Sequence, residues 1–325
     1  MSTPKFETYT TLELGPERLQ ALTDSFNDVF GKNVDPAEMN RRFITSSRGE
    51  SYHSIMEDNG VVAGACTAVP YEYSYNGAKK TFAYLGGLFV KEAYRKDPLA
   101  MFKLYRNLRA LLVEKGVDLI MAVPNDNAFP YFKVALKWKE TANLPYYALP
   151  VRLGNIRKAS KALNFFSKVF AFCSGTFNLA LTAIANKTTE PAPIRILRNE
   201  PLLEQHRFTP AHGRIKAKNH SFFYRTVDEE GIRSSYLIDF YNADGMRDRR
   251  SLAKAVNYIR SNERPDIILF IGNPGFPQLS LLKVPKRSEP RTLHFCVEIL
   301  DRENIKEDVF DYGKWDFGLY NFDAR

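Results

Sequence analysis

Six residues, Arg95-Lys96-Asp97-Pro98-Leu99-Ala100, end the connection between the apolar run Leu88-Phe89-Val90 and the helical stretch MFKLYRNLRALLVEKG. Two cations at the mouth of a helix suit an anion. The first amides of a helix lack internal acceptors, its dipole adds partial positive charge there, and a guanidinium grips phosphate through two nitrogens. Pro98 is tolerated in a first helical turn and removes one N–H. The amides of Asp97, Leu99 and Ala100 then remain as phosphate donors, with Arg95 and Lys96 adding charge. Asp97 repels an anion, and its place before Pro98 suits a helix N-cap. A plain strand-to-helix turn with two solvated cations is the competing reading.

Those residues need a strand before them and a helix after them, and the surrounding pattern supplies both. Residues 16–46 read as two helices, with Asp35 as N-cap and Pro36 at the first helical position of the second. Residues 51–90 alternate apolar and polar side chains between two turns, Asn59-Gly60 and Asn76-Gly77, which predicts an antiparallel meander of about three strands. A helix over 98–115 ends at Gly116. The stretch VDLIMAVP then reads as a buried strand, NDNAFPYFKVALKW as a helix and PYYALPVR as a closing strand. This order predicts an α+β fold, an α/β mixed sheet.

The last third repeats the first. VDLIMAVPNDNAFPYFK (117–133) lies over PDIILFIGNPGFPQLSL (265–281), matching Asp118 with Asp266 and Asn125 with Asn273. Upstream, YLGGLFVKEAYR lies over YLIDFYNADGMR, matching Tyr84 with Tyr236 and Arg95 with Arg247. The expected organisation is one domain over 1–152, a basic Phe-rich helical linker over 153–195 and a second, degenerate copy over 196–325.

Composition narrows the function classes. The 325 residues carry a net charge of +9, concentrated in the middle. Residues 151–225 hold 13 Lys and Arg against 3 Asp and Glu, whereas 1–150 hold 18 against 17 and 226–325 hold 15 against 17. Three scattered cysteines (Cys66, Cys173, Cys296) argue against a disulfide framework and fit a reducing compartment. The five histidines lack metal-ligand spacing, so no metal site is expected. No secretion signal opens the chain, and the expected location is the cytoplasm, with a peripheral place on the inner membrane face as a further option.

Taken in this order, the loop, the following strand and Asn125 resemble the GCN5-related N-acetyltransferase (GNAT) family, in tandem form. In that family a strand, a loop of pattern Arg/Gln-x-x-Gly-x-Gly/Ala and the next helix hold the pyrophosphate of acetyl-coenzyme A. Arg95-x-x-Pro98-x-Ala100 fits the frame, with Pro98 in place of glycine. The resemblance implies that the backbone of Leu88, Phe89 and Val90 pairs with the pantetheine arm, and that Asn125 and Ala128 form the second signature. It also implies a tyrosine seven residues past Asn125 to protonate the leaving thiolate, but Phe132 stands there. Either the neighbouring Tyr131 does this in a shifted register, or water does. Glu72 is the family-like candidate for the base that deprotonates the amine; an exposed strand carboxylate is its bland alternative. The implied activity is transfer of an acyl group, expected to be acetyl, from acyl-CoA to an amine, with an amino sugar or lipid-linked precursor as acceptor options. The alternatives are an aminoacyl transferase of the peptidoglycan type using charged transfer RNA, and a non-catalytic GNAT-like binding module. The second copy, NADGMRDRRSL at its loop, lacks the Gly/Ala pattern and is not expected to bind cofactor.

Residues 157–186 pose a separate question. Phe165, Phe166, Val169, Phe170, Phe172 and Phe177 lie beside Lys168, with Arg157, Lys158 and Lys161 just before. One reading packs this aromatic face in the core between the copies; the other lays it on an anionic membrane surface. Lys168, Ser174, Gly175, Thr176 and Asn178 make a membrane span a poor reading. Nucleic acid is an unfavoured partner, because no recognition motif accompanies the charge.

Overall fold

The computed structural model describes residues 4–322 except 45, 47, 98, 157–161, 185–190 and 199–207. Pro98 and the three cations Arg157, Lys158 and Lys161 therefore lie outside the described residues. Two compact units emerge, and both are discontinuous in sequence.

Unit 1 comprises residues 1–142, 196–207 and 294–310. Its elements are β1 (Lys5–Thr10), α1 (Thr11–Phe30), α2 (Pro36–Ile44), β2 (Tyr52–Asp58), β3 (Val61–Tyr75), β4 (Ala78–Val90), α3 (Ala100–Glu114), β5 (Leu119–Ala122), β6 (Lys139–Asn143) and β14 (His294–Ile299). They form a mixed sheet in the order β1-β2-β3-β4-β5-β14-β6. The meander follows from its turns. Asn59 and Gly60, then Asn76 and Gly77, all take positive φ, as two-residue hairpin turns require. Asp35 caps α2 as expected, its Oδ1 accepting from Glu38 N at 2.7 Å. One apolar cluster packs α3 (Leu104, Leu108, Leu112) on the sheet (Cys66, Ile120, Cys296), and a second packs α1 and α2 on Ile55, Val62 and Phe89.

Unit 2 comprises residues 143–195, 208–293 and 311–325. It contains β7 (Tyr146–Pro150), α4 (Leu153–Ile156), α5 (Ala162–Ile184), β9 (Gly213–Ala217), β10 (His220–Glu229), β11 (Ile232–Asn242), α6 (Arg249–Asn262), β12 (Ile267–Ile271), β13 (Leu282–Lys283) and α7 (Leu319–Phe322). The sheet order is β13-β7-β12-β11-β10-β9. A parallel bridge joins Ile194 and Arg195 of β8 (Ile194–Ile196) to Trp315 and Asp316 of β15 (Trp315–Asp316). α6 covers this sheet through Leu252, Val256 and Ile259.

One parallel strand pairing recurs in each unit. In unit 1, β4 and β5 pair in parallel as Phe82–Leu119, Ala83–Ile120 and Tyr84–Met121. In unit 2, β11 and β12 pair in parallel as Ser234–Ile267, Ser235–Ile268 and Tyr236–Leu269. An aspartate begins the second strand of each pair. Asp118 N donates to Thr81 O and its Oδ2 accepts from Thr81 N; Asp266 does the same with Arg233. Each aspartate carbonyl also receives two successive amides, from Leu300 and Asp301 in unit 1 and from Val151 and Arg152 in unit 2.

Three expectations change. The segment PYYALPVR forms β7, but β7 lies in the sheet of unit 2, and the corresponding place in unit 1 is taken by β14. The helix expected after Asn125 shrinks to a turn and a single π-turn over Tyr131–Ala135, closed by Leu136 N donating to Tyr131 O. The aromatic face of α5 is not in a core: Phe165 and Phe166 are 66% and 67% exposed.

Candidate active site

The site lies where β4 outlasts its neighbour. β5 pairs with β4 only through Tyr84, whereas β4 runs on to Val90. Among the described residues no strand continues the ladder on that side, so the backbone from Leu85 to Val90 faces an opening between the two strands. Unpaired strand backbone recruits an extended partner. Leu88, Phe89 and Val90 sit on this free edge.

A bulge marks the same place. Thr67 of β3 pairs with Gly86 and Ala65 pairs with Phe89, so Gly87 and Leu88 stand against Cys66 alone. Gly87 adopts φ 61°, which a side chain would strain. Behind the bulge, Thr67 Oγ1 lies 3.0 Å from His53 Nδ1, and Thr11 Oγ1 lies 3.0 Å from His53 Nε2. Complete burial pushes the His53 pKa down to about 3, so this imidazole is a neutral strut.

The basic loop opens from the end of β4. Arg95 is exposed, and its Nε donates to Val90 O at 2.9 Å, which tethers the guanidinium at the strand end. Lys96 is exposed beside it. The three loop amides are engaged internally: Asp97 N with Tyr94 O, Leu99 N with Asp97 Oδ1, and Ala100 N with Asp97 O. Asp97 thus caps the loop through Leu99, and α3 begins two residues later than anticipated. Its carboxyl is held below the usual range by the Leu99 N–H first and by Lys103 Nζ, 3.1 Å away. Among the described residues the first helical bond is Lys103 N to Leu99 O, so the amides of Met101 and Phe102 precede it.

Beyond β5, Asn125 and Ala128 are brought together. Ala128 N donates to Asn125 Oδ1 at 2.9 Å, fixing the turn that follows the strand. Phe132 is 3% exposed and meets Trp138 edge-on, a core role. Tyr131 differs, because its hydroxyl is buried and has no hydrogen-bond partner among the described residues. It packs against the cluster containing Cys66, beside the bulge, and burial, then the Cys66 thiol, pushes its pKa far above the ordinary value. The phenol therefore stays protonated at neutral pH.

Glu72 lies elsewhere. It pairs with Thr81 of β4, and its carboxylate faces Lys79 Nζ at 3.4 Å. Gly86–Leu88 are five to seven residues further along β4, roughly 17–23 Å at the rise of a strand. A different titratable group stands at the open end. His294 of β14 places Nδ1 2.7 Å from Glu140 Oε1 and Nε2 3.3 Å from Asp126 Oδ1, and its ring stacks on Phe129 at 3.6 Å. These residues lie 154 and 168 positions from His294 in sequence, so local spacing carried no signal of the cluster.

Among the described residues of unit 2 the matching place is filled. Gly318 bridges Gly272 just past β12, Asn273 N donates to Phe317 O, and α7 packs on β11. Arg247, the counterpart of Arg95, is buried: its Nη2 lies 2.9 Å from Asp239 Oδ1 and its Nη1 2.7 Å from Asp316 Oδ1.

Residues 19–135 match the model of the acetyltransferase (GNAT) family. This stretch is a GNAT-type domain within the chain. The GNAT domain spans the meander, the loop, α3, β5 and Tyr131, and marks the chain as an acyltransferase. No curated protein matches it in sequence. Its fold is shared with solved structures at low identity. A GCN5-related N-acetyltransferase from Kribbella flavida superposes at a TM-score of 0.58 and 13% identity, over 92% of this chain and 72% of that one. A GCN5-related N-acetyltransferase from Anabaena variabilis gives 0.57 and 12%, over 91% and 73%. The Saccharomyces cerevisiae N-myristoyltransferase, solved with bound myristoyl-CoA, gives 0.52 and 8%, over 91% and 79%. Among the described residues no group of three or more His, Cys, Asp or Glu side chains is placed to hold a metal, and no helix is long and apolar enough to cross a membrane.

Proposed function

We propose that unit 1 transfers an acyl group, acetyl by preference, from acyl-CoA to an amine. The observation that carries this is the free edge of β4 over Leu85–Val90, with a basic helix start at one end and an unpartnered phenol beside the bulge. The pantetheine amides complete the interrupted ladder at Leu88–Val90. The pyrophosphate meets Arg95, Lys96 and the amides of Met101 and Phe102, since those of Asp97, Leu99 and Ala100 already have acceptors. The amine attacks the thioester carbon, the carbon–sulfur bond breaks, and Tyr131 gives its proton to the departing thiolate. His294, held between Glu140 and Asp126, replaces Glu72 as the group that takes the proton from the ammonium. Asn125 fixes the turn that carries Asp126, and Ala128 closes it.

Unit 2 is read as a degenerate second copy without a donor site, because its wedge is filled by Phe317 and Gly318 and its arginine is sequestered. An amino sugar or a lipid-linked amine is the acceptor class this reading favours. The non-catalytic alternative draws on Phe132 and on the internally bonded loop amides.

Calorimetry with acetyl-CoA tests the donor site. Binding is expected, weakened at least about tenfold in Arg95→Ala, the scale of one charge-assisted contact to phosphate. Absence of binding at millimolar cofactor by a folded chain would remove the proposal. Retention of transfer RNA at physiological salt would favour the aminoacyl-transferase alternative instead.

A further inference from the structure

α5 is amphipathic with its faces reversed. The side packed on unit 2 carries Asn164, Ser167, Ser174, Gly175 and Asn178, while the solvent side carries Phe165, Phe166, Val169, Phe170, Phe172 and Phe177. Hydrogen bonds lock that orientation. Ser167 Oγ donates to Val151 O at 2.9 Å and accepts from Leu153 N at 3.1 Å; Asn164 Oδ1 accepts from Gly154 N at 2.7 Å. Asn257 Nδ2 of α6 donates to Gly175 O at 3.1 Å, and any β-carbon at Gly175 would collide with that amide. Rolling the helix to bury its phenylalanines would break these bonds and leave buried polar groups unpaired, each at a cost of about 1–3 kcal/mol. The outward face is fixed as apolar, and a contiguous apolar face on a solvated surface marks a site of interaction.

Charge selects the occupant. α5 and α6 pack together and hold Lys168, Arg249, Arg250, Lys254 and Arg260 with no Asp or Glu between them. Arg260 stands 5.1 Å over the Phe172 ring, with its Nε buried and unpartnered. In a two-fold contact with a second copy these cations would meet the same cations. A bilayer rich in anionic lipid supplies what both features need: apolar depth for the rings and phosphates for the cations. We propose that α5 lies in the headgroup layer of an anionic membrane, its phenylalanine face inserted and the cations of α6 on the lipid phosphates.

Flotation of the full chain with vesicles tests this, using phosphatidylglycerol–phosphatidylcholine mixtures and phosphatidylcholine alone. The chain is expected to float with the anionic vesicles and to be released by salt. Phe166→Ser with Phe170→Ser should lower partitioning at least about tenfold, given the area of two rings. The far-ultraviolet circular dichroism should be unchanged, since both rings are exposed. Lys168→Gln and Arg250→Gln should each weaken binding about fivefold, the scale of one cation near an anionic surface. Failure of the folded chain to float would overturn the proposal, as would equal binding to phosphatidylcholine alone. So would a dimer in sedimentation, dissolved by the phenylalanine pair, without lipid binding; that result would assign the face to a second copy.

Discussion

Acid should loosen unit 1 through a single buried imidazole. His53 is wholly inaccessible, its two nitrogens face the hydroxyls of Thr11 and Thr67, and Phe43 covers its ring at 4.4 Å. Burial lowers its pKa to about 3, whereas an exposed histidine titrates near 6.5. Between those values the unfolded chain holds one proton more than the folded chain. A histidine depressed in this way lends stability above pH 6.5 that is lost as pH falls toward 3. From pH 6.5 to 5.0 the loss is 1.5 pH units at about 1.4 kcal/mol each, or about 2 kcal/mol. The assay is hydrogen exchange of amides in β2 and β3, which reports unit 1 alone, on the native chain and on His53→Gln at pH 7.5 and 5.0. After correction for intrinsic exchange, the native chain should lose about 2 kcal/mol more than the variant on acidification. Equal losses would show that His53 does not carry the acid sensitivity. Because Thr67 pairs with Gly86, the same acidification should disturb the bulge and lower acyl transfer in parallel.

Tyr131→Phe should lower kcat about 10²-fold or more with KM for acyl-CoA little changed, because the lost proton is delivered only as the thiolate leaves. His294→Gln should lower kcat with an amine acceptor about 10²-fold while KM for acyl-CoA is little changed; an unaltered kcat would remove it as the base. Asp97→Asn should tighten acyl-CoA binding about two- to fivefold, the scale of one exposed charge, and calorimetry reads this directly. Arg247→Met strands two buried carboxylates and should destabilise unit 2 by about 3–5 kcal/mol in urea unfolding, whereas acyl-CoA affinity at unit 1 should persist.

Legibility in the sequence followed the range of the forces involved. The Asn59-Gly60 and Asn76-Gly77 turns were readable because a two-residue hairpin demands positive φ locally. The likeness of Asp118 and Asp266 was readable because each pairs with the backbone of a neighbouring strand at one register position. Tyr131 was named only through resemblance, and the π-turn that places Phe132 in the core left no local signal. His294 was invisible because its carboxylate partners arrive from distant strands. The phenylalanine stripe of α5 was plain, yet its direction was not, since a helical pattern records two faces and not which one the polar anchors Ser167 and Asn164 pull inward. β7 and β14 escaped because a short apolar strand can pair antiparallel beside either β5 or β12.

That exchange of strands has a consequence for the order of events during synthesis. A ribosome delivers every residue of the GNAT domain long before it delivers β14. Until residues 294–299 emerge, β5 presents a bare edge, and β7, already made, is an antiparallel strand of compatible pattern that belongs to a sheet not yet built. The nascent chain therefore has a wrong partner at hand before the right one exists. The pairs that separate the two outcomes are few: Cys296 with Ala122 and Glu298 with Ile120 in one sheet, Leu149 with Ile268 and Tyr147 with Phe270 in the other. A chain cut near residue 150 would be held in that choice permanently, and a fragment designed on the boundaries of the GNAT domain would carry the candidate site on an unfinished sheet.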